Sequence, residues 1–168
     1  LNERSRNWHP AIEVAHRLES AGTGSFSNRI AHHWCEVAQE ADARGRADEA
    51  EQALTRAREA APQAARPLVI MGQRFARQNE AAKAMQAWEE LMALQPQSFS
   101  LIAMDYAKAA QACGAQSTAL TKLDALYAQV PSIDILNAWN ALQPDAQLRR
   151  QRLIAHVTVQ PSLSAAQG

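Results

Sequence analysis

Two histidines and a cysteine stand close together near the start of the chain, at His32, His33 and Cys35. His32 and Cys35 are three residues apart, so a helix would place both on one face, and imidazole and thiolate are ligands that zinc prefers. Two side chains do not close a zinc site, and the rest of the sequence has no second cluster with ligand spacing. We therefore expect no metal site here, and packing or partner-binding roles are favoured instead.

The two cysteines of the chain, Cys35 and Cys113, are also candidate nucleophiles. Neither lies in the glycine-rich turn or strand-to-helix elbow that exposes a nucleophile. Their spacing fits neither a CxxC motif nor a disulfide framework. We expect both to be reduced packing thiols in helices.

Acidic residues and phosphate-binding motifs give no support to catalysis either. Pairs such as Glu89 and Glu90 fall in helical runs where a solvated face is expected. The sequence has no GxGxxG motif and no phosphate-binding loop. The prediction is a protein that is not an enzyme.

The composition favours packed helices. Hydrophobic residues make up 47% of the 168 residues, aromatic residues only 5%, and 36 residues are alanine. Lysine plus arginine and aspartate plus glutamate each number 17, so the chain lacks the overall positive charge on which most nucleic-acid binders depend. No run of 18 apolar residues and no signal peptide is present. We expect a helical protein that does not bind nucleic acid.

A repeat organises the elements that must position these side chains. From Trp34 to Pro62, large and small residues occupy spacings that are typical of tetratricopeptide repeats, in which two antiparallel helices meet through a tight turn. The same slots recur 34 residues later and again 35 residues after that. The three sets are Trp34, Val37, Ala38, Ala41, Gly45, Ala50, Leu54, Ala57 and Pro62; Leu68, Met71, Gly72, Phe75, Asn79, Ala84, Trp88, Leu91 and Pro96; and Ala103, Tyr106, Ala107, Ala110, Gly114, Ala119, Leu123, Leu126 and Pro131. The sequence therefore predicts an all-α fold, a tetratricopeptide-repeat solenoid of stacked antiparallel helix hairpins.

The predicted repeats span residues 28–62, 65–96 and 98–131. Their helices are expected at 28–44 and 47–60, at 65–78 and 80–94, and at 98–113 and 117–129. Gly45, Asn79 and Gly114 lie where each hairpin reverses, and all three tolerate a left-handed backbone. Ser27 or Asn28 is expected to cap the first of these helices.

Partial units are predicted at both ends of the chain. Residues 1–24 resemble the second half of an earlier repeat, with a helix at about 10–21, and residues 132–161 a shortened terminal repeat with helices at about 133–142 and 145–159. Residues 162–168 are predicted to be a frayed tail or linker. Because the chain starts without a methionine, we interpret it as a piece of a longer protein. A cut solenoid would expose apolar helix faces, so self-association through either end is expected.

The inner, concave face of the solenoid is the expected binding surface, because stacked hairpins project one edge of each first helix towards a common groove. The candidates are the first-helix residues that do not fill packing slots: His32, Cys35, Gln39, Asp42, Arg66, Val69, Gln73, Arg77, Leu101, Met104, Lys108 and Gln111. This set is polar and mildly basic at its centre, with an apolar patch at Leu101 and Met104. It suits an extended or helical peptide with some acidic character. The alternative, that the basic side chains only solvate the surface, stays open at this point.

Several segments resemble one particular family. Residues 30–38, IAHHWCEVA, resemble a segment that reads I-A-H, two variable or aromatic positions and then C-E-L-A in lipopolysaccharide assembly protein B of Gram-negative bacteria. Residues 7–15, NWHPAIEVA, are similar to the W-x-x-A-I-x-x-A helix of that family, and residues 65–72, ARPLVIMG, to its R-x-x-x-x-x-G repeat opening. The resemblance covers most of the chain and is strongest from Trp8 to Pro96.

The resemblance implies a non-enzymatic adaptor that regulates lipopolysaccharide biosynthesis. Members of the family hold their repeats on the cytoplasmic face of the bacterial inner membrane through an N-terminal anchor, and they promote degradation of the deacetylase LpxC by the membrane protease FtsH. They end in a rubredoxin-like domain that binds zinc or iron through two CxxC pairs. The chain would be a soluble fragment that lacks both ends and carries no cofactor. The alternative is a generic tetratricopeptide-repeat scaffold of another envelope or secretion assembly.

Overall fold

The computed structural model describes residues 24–159, which form eight α-helices and, in that range, no strand. The helices are α1 (Gly24–Ala43), α2 (Ala47–Ala60), α3 (Ala65–Arg77), α4 (Ala81–Leu94), α5 (Ala103–Ala112), α6 (Gln116–Gln129), α7 (Ile133–Leu142) and α8 (Ala146–Val159). A 3₁₀ helix, Pro96–Ile102, precedes α5. The predicted helix at 10–21 and the predicted tail lie outside the described residues. The predicted all-α class and the succession of helix pairs are confirmed.

Three hairpins turn through the same backbone geometry. Gly45, Asn79 and Gly114 have φ angles of 74°, 61° and 72°. In each turn this residue donates its N–H to the carbonyl three residues earlier, and the next residue donates to the carbonyl five residues earlier. This pair of hydrogen bonds satisfies the last carbonyls of the preceding helix. The prediction that these three positions adopt the left-handed conformation is confirmed.

The second helix of each hairpin also ends in a repeated way. The N–H groups of Ala61, Gln95 and Val130 each donate to the carbonyl four residues earlier, at 3.1, 2.7 and 2.8 Å. Their φ angles are −140°, −138° and −130°. These positions are separated by the same 34 and 35 residues as the sequence slots. The period that the side chains predict is therefore also present in the backbone.

The chain divides into two compact units, residues 1–71 and 72–168, and each is described by itself. In the first unit α1 packs along α2. Ala38, Ala50 and Ala57 are fully buried between them, and their small side chains allow the two helix axes to approach closely. Trp34 and Leu54 complete the core, and the guanidinium of Arg56 lies 5.0 Å from the Trp34 ring.

The second unit is built around larger side chains. Gly72 of α3 faces the buried indole of Trp88 on α4 so closely that a Cβ atom at Gly72 would lie 2.1 Å from the indole nitrogen. Phe99 and Tyr106 form an edge-to-face pair with ring centroids 5.2 Å apart. Helix α4 packs against α5, α5 against α6 and α7, and α6 against α7. These contacts hold the second helix of each hairpin against the first helix of the next.

Two helix boundaries differ from the prediction. Helix α1 begins at Gly24, so neither Ser27 nor Asn28 caps it. Phe26 lies four residues before Ile30 and is half-buried, so the extra turn continues the packed face. The helix predicted at 98–113 is divided into the 3₁₀ helix and α5. Phe99 and Ile102, three residues apart, are both buried there, and three residues per turn is the period that aligns them.

Candidate functional site

Three of the predicted binding residues meet between α1 and α3. Arg66 reaches from α3 to α1, where its Nη2 donates to Oε1 of Glu36 at 2.9 Å and to Oε1 of Gln39 at 3.1 Å. Its Nη1 lies against Nδ1 of His32. Arg66 follows His32 by 34 residues, so the two occupy equivalent slots of neighbouring hairpins. The structure thus brings His32, Gln39 and Arg66 together.

Glu36 belongs to this cluster but was not among the predicted residues. Its Oε1 also lies 3.5 Å from Nε2 of His32, one helical turn away. The signal in the sequence was the spacing of His32 and Glu36, which stand at i and i+4 and so lie on one face of α1. Arg66 contacts that face. The side chains of His32, Glu36 and Arg66 are 57%, 49% and 38% exposed, so water screens their charges and the cluster adds little stability. Glu36 would compete with an acidic partner for Arg66.

Cys35 occupies a different environment from its neighbours. Its side chain is fully buried in the α1–α2 core. Burial raises the pKa of the Cys35 thiol to about 11, an effect that Arg66 opposes and Glu36 reinforces. The thiol is therefore protonated at neutral pH and is a poor nucleophile. Of the two roles left open by the sequence, packing or contact with a partner, this burial fits packing.

Three of the four remaining predicted residues of α1 and α3 are less exposed than those of α5 and its 3₁₀ helix. Asp42, Val69 and Gln73 are half-buried, whereas Arg77 is exposed. Asp42, Val69 and Arg77 each make a further interaction within the protein. The side chains of Asp42, Val69 and Arg77 therefore already interact with other residues of the chain.

Helix α5 and the 3₁₀ helix before it carry the most exposed row of predicted residues. Leu101 is 76% exposed and Met104 is 40% exposed. Lys108 and Gln111 follow along the same side of the helix and are exposed as well. The row therefore has an apolar end and a polar end.

Helix α7 lies beside this row and runs parallel to it. Ser100 donates from Oγ to Oγ of Ser132 at 3.2 Å, which joins the two N-terminal ends. Gln111 donates from Nε2 to the carbonyl of Ala141 at 3.2 Å, which joins the two C-terminal ends. Ile133 follows Ser132 at the start of α7, near the apolar end of the row, and is 44% exposed. We call the surface formed by Leu101, Met104, Lys108, Gln111 and Ile133 the α5–α7 face.

A partly buried polar bridge holds α5 behind this face. Tyr106 donates its hydroxyl to Oε2 of Glu89 at 2.8 Å, and Nζ of Lys122 lies 3.5 Å from Oε1 of the same carboxylate. Burial raises the pKa of Tyr106, and the hydrogen bond to Glu89 raises it further. The expectation that Glu89 lies on a solvated face is wrong, because Glu89 joins α4, α5 and α6.

The described residues lack two kinds of site, and two comparisons with known proteins find no match. Within residues 24–159, no group of three or more His, Cys, Asp or Glu side chains is arranged to hold a metal ion. Nor does any helix in this range combine the length and the apolar character that crossing a bilayer requires. Models of known protein families do not match the chain, and no curated protein matches it.

Proposed function

We propose that this chain is a non-enzymatic adaptor, and that a segment of a partner protein docks on the α5–α7 face. The observation that carries this proposal is the exposure of Leu101, 76%, and of two further apolar side chains, Met104 and Ile133, on the two segments that the Ser100–Ser132 hydrogen bond joins. Aliphatic side chains grouped on one exposed surface favour contact with another protein, because burying them there removes apolar area from water.

The chemistry of the face describes the partner segment. The apolar end suits one or two aliphatic or aromatic anchor residues. Lys108 at the polar end suits a carboxylate, and Gln111, whose amide already holds α7, limits how far that end can rearrange. The partner segment is thus a short peptide with an apolar anchor and an acidic residue.

The resemblance of residues 30–38 and 65–72 supports a finer proposal about biology. On this proposal the parent protein belongs to the lipopolysaccharide assembly protein B family, with its repeats on the cytoplasmic side of the inner membrane. It would hold LpxC near FtsH and so raise their effective concentration for each other. The alternative is a scaffold for another envelope or secretion assembly that uses the same face.

Binding of the 168-residue chain to purified LpxC and purified FtsH tests both levels. We expect Leu101→Asp to weaken binding to at least one of them by about tenfold or more, since a central apolar anchor is lost. Leu148→Asp is the matched control, because Leu148 is an apolar residue of α8 with 42% exposure. Both variants should keep the wild-type melting temperature.

Two outcomes would contradict the proposals. If the wild-type chain binds neither LpxC nor FtsH, and a pull-down recovers secretion components through Leu101, the finer assignment is wrong and the alternative is supported. If Leu101→Asp binds every partner as tightly as Leu148→Asp does, the α5–α7 face is not the docking site.

A further inference from the structure

Polar side chains join α8 to α6 and α7, its neighbours in the second unit. Arg152 pairs with Asp124 of α6, and its guanidinium carbon lies 4.9 Å from the ring centroid of Trp139 on α7. His156 shares a hydrogen bond with the hydroxyl of Tyr127. None of the residues Ala146–Val159 is buried against the described part of the chain. The side-chain contacts that join α8 to α6 and α7 are therefore polar, although Leu148 and Leu153 are each more than half covered.

A neighbouring side of α8 carries a stripe of exposed side chains at helical spacing. Arg150, Leu153, Ile154 and Val157 stand at i, i+3, i+4 and i+7, which places them on one face. The last three are 38%, 59% and 63% exposed. We call these four residues the α8 stripe. In most surface helices the apolar stripe faces the core, and here that arrangement is reversed.

The neighbouring hairpins show what normally contacts a second helix. The second helix α4 packs against the next first helix, α5, and the second helix α6 packs against α7. Helix α8 is the second helix of the following hairpin, and no helix follows it within residues 24–159. A helix is therefore the kind of element that this fold places beside α8.

We propose that the α8 stripe binds an amphipathic helix of another protein, with an apolar stripe of its own and a carboxylate that pairs with Arg150. The apolar side chains of the partner would cover Leu153, Ile154 and Val157. The carboxylate would lie one turn away, at the end where Arg150 stands. The ion pair would fix the register and direction of the partner helix.

The sequence predicts self-association through this end of the chain, but the charges of α8 favour a different protein over a second copy. Residues 146–159 contain three arginines and no aspartate or glutamate. If two α8 helices packed stripe to stripe, the nearest carboxylate to each Arg150 would be that of Asp145, which already caps α8 by accepting from the N–H groups of Gln147 and Leu148. An acidic helix from another protein supplies the missing charge. A lipid surface is disfavoured because the stripe has no Trp or Tyr to anchor it at an interface.

This surface is separate from the α5–α7 face, so the two proposals fail independently. An adaptor that holds two partners together needs two such surfaces. The test therefore measures binding of a defined probe to the α8 stripe, and neither LpxC nor FtsH is used in it.

The probe is a pair of synthetic amphipathic helical peptides. Both carry leucines along one stripe, and they differ only in having glutamate or lysine one turn beyond it. Fluorescence anisotropy with the full chain should show the glutamate peptide binding about tenfold more tightly than the lysine peptide. Arg150→Glu should reverse that preference, and Ile154→Asp should abolish binding of both peptides. Leu101→Asp is the control and should bind as the wild type does.

Equal binding of the two peptides, or an unchanged preference in Arg150→Glu, would overturn the proposal. Circular dichroism checks that each variant keeps the helical content and melting temperature of the wild type. Dimerisation of the wild type that Ile154→Asp removes, seen by sedimentation, would instead assign the stripe to a second copy. Binding to phosphatidylglycerol vesicles that is lost in Ile154→Asp, without peptide binding, would assign it to a membrane surface.

Discussion

The second helices of the hairpins are attached in two opposite ways. Helices α2, α4 and α6 each bury apolar residues along one face, and α6 does so with Ala119, Leu123 and Leu126. Helix α8 has the same length as these three helices but buries none of its residues and holds on through Arg149, Arg152 and His156. Burying one leucine contributes about 1.5 to 3 kcal/mol, whereas an exposed ion pair contributes about 0.2 to 1 kcal/mol.

The difference teaches that helical spacing does not decide which face of a helix is inward. In α8 the inward residues Arg149, Arg152 and His156 and the outward α8 stripe both follow helical spacing. Each contact of α8 is weak. The free energy needed to open α8 locally is therefore expected to be lower than that of the packed helices. Substitutions in the packed helices should therefore change global stability, and substitutions in α8 should not.

The largest effect is expected at Gly72, in the contact between α3 and α4. A methyl group there would lie 2.1 Å from the indole nitrogen of Trp88, so the fully buried indole or the backbone of α3 would have to shift. We expect Gly72→Ala to lower the free energy of unfolding by about 3 kcal/mol, at the upper end of overpacking penalties. Urea denaturation measures this.

A double-variant cycle supplies the control for Gly72. If the clash with the indole is the cause, Trp88→Leu should destabilise the Gly72→Ala protein less than it destabilises the wild type. Additive effects of the two substitutions would show that the contact between α3 and α4 is not the tight one described.

A smaller loss is expected at Ala50, between α1 and α2. Ala50 is fully buried where the two helices approach, so a leucine there would force them apart. We expect Ala50→Leu to reduce stability by about 2 kcal/mol and to lower the melting temperature. Gln52→Leu, at an exposed position of the same helix, is the control. An unchanged melting temperature in Ala50→Leu would count against the repeat frame.

The hydroxyl of Tyr106 allows a direct comparison with α8. Tyr106→Phe removes the 2.8 Å hydrogen bond to the carboxylate of Glu89, and we expect a loss of about 1.5 kcal/mol. Tyr127→Phe removes the hydrogen bond to His156 of α8, and we expect a loss below about 0.5 kcal/mol. Thermal unfolding of the two variants gives the difference. Equal losses would mean that α8 is as firmly attached as α5.

The smallest effect on global stability is expected at Arg152. Arg152→Ala removes the ion pair with Asp124 and the contact with Trp139, and the free energy of unfolding should change by less than about 0.5 kcal/mol. Hydrogen exchange of the α8 amides should nevertheless become faster, because the helix opens more often. Arg150→Ala, on the outward side, should leave that exchange unchanged. A global loss as large as that of Ala50→Leu would contradict the comparison.

The parts of the fold that single residues determine could be predicted from the sequence. Gly45, Asn79 and Gly114 were predictable because few residue types adopt a positive φ without strain. The pairing of α3 with α4 was predictable from the repeat, which places the turn residue Asn79 between the two helices. The division of the helix at 98–113 was not, because it depends on which of Phe99, Ile102 and their neighbours reach the core.

The candidate site was less predictable because it depends on contacts between hairpins. The exposed row of α5 follows from helical spacing once the packed slots are known. The contact of Arg66 with Glu36 does not, since it depends on how α3 lies against α1. The reversed polarity of α8 also has no local signal, because two faces of that segment follow the same period.

The polar attachment of α8 makes it the part of the molecule that should respond to ionic strength. Added salt screens the charges of Arg152 and Asp124, whereas the burial of apolar side chains on α4 and α6 is not weakened by such screening. Raising the salt concentration should therefore loosen α8 while the packed hairpins keep their stability. Ionic strength should thus affect the attachment of α8 more than that of the helices with buried apolar faces.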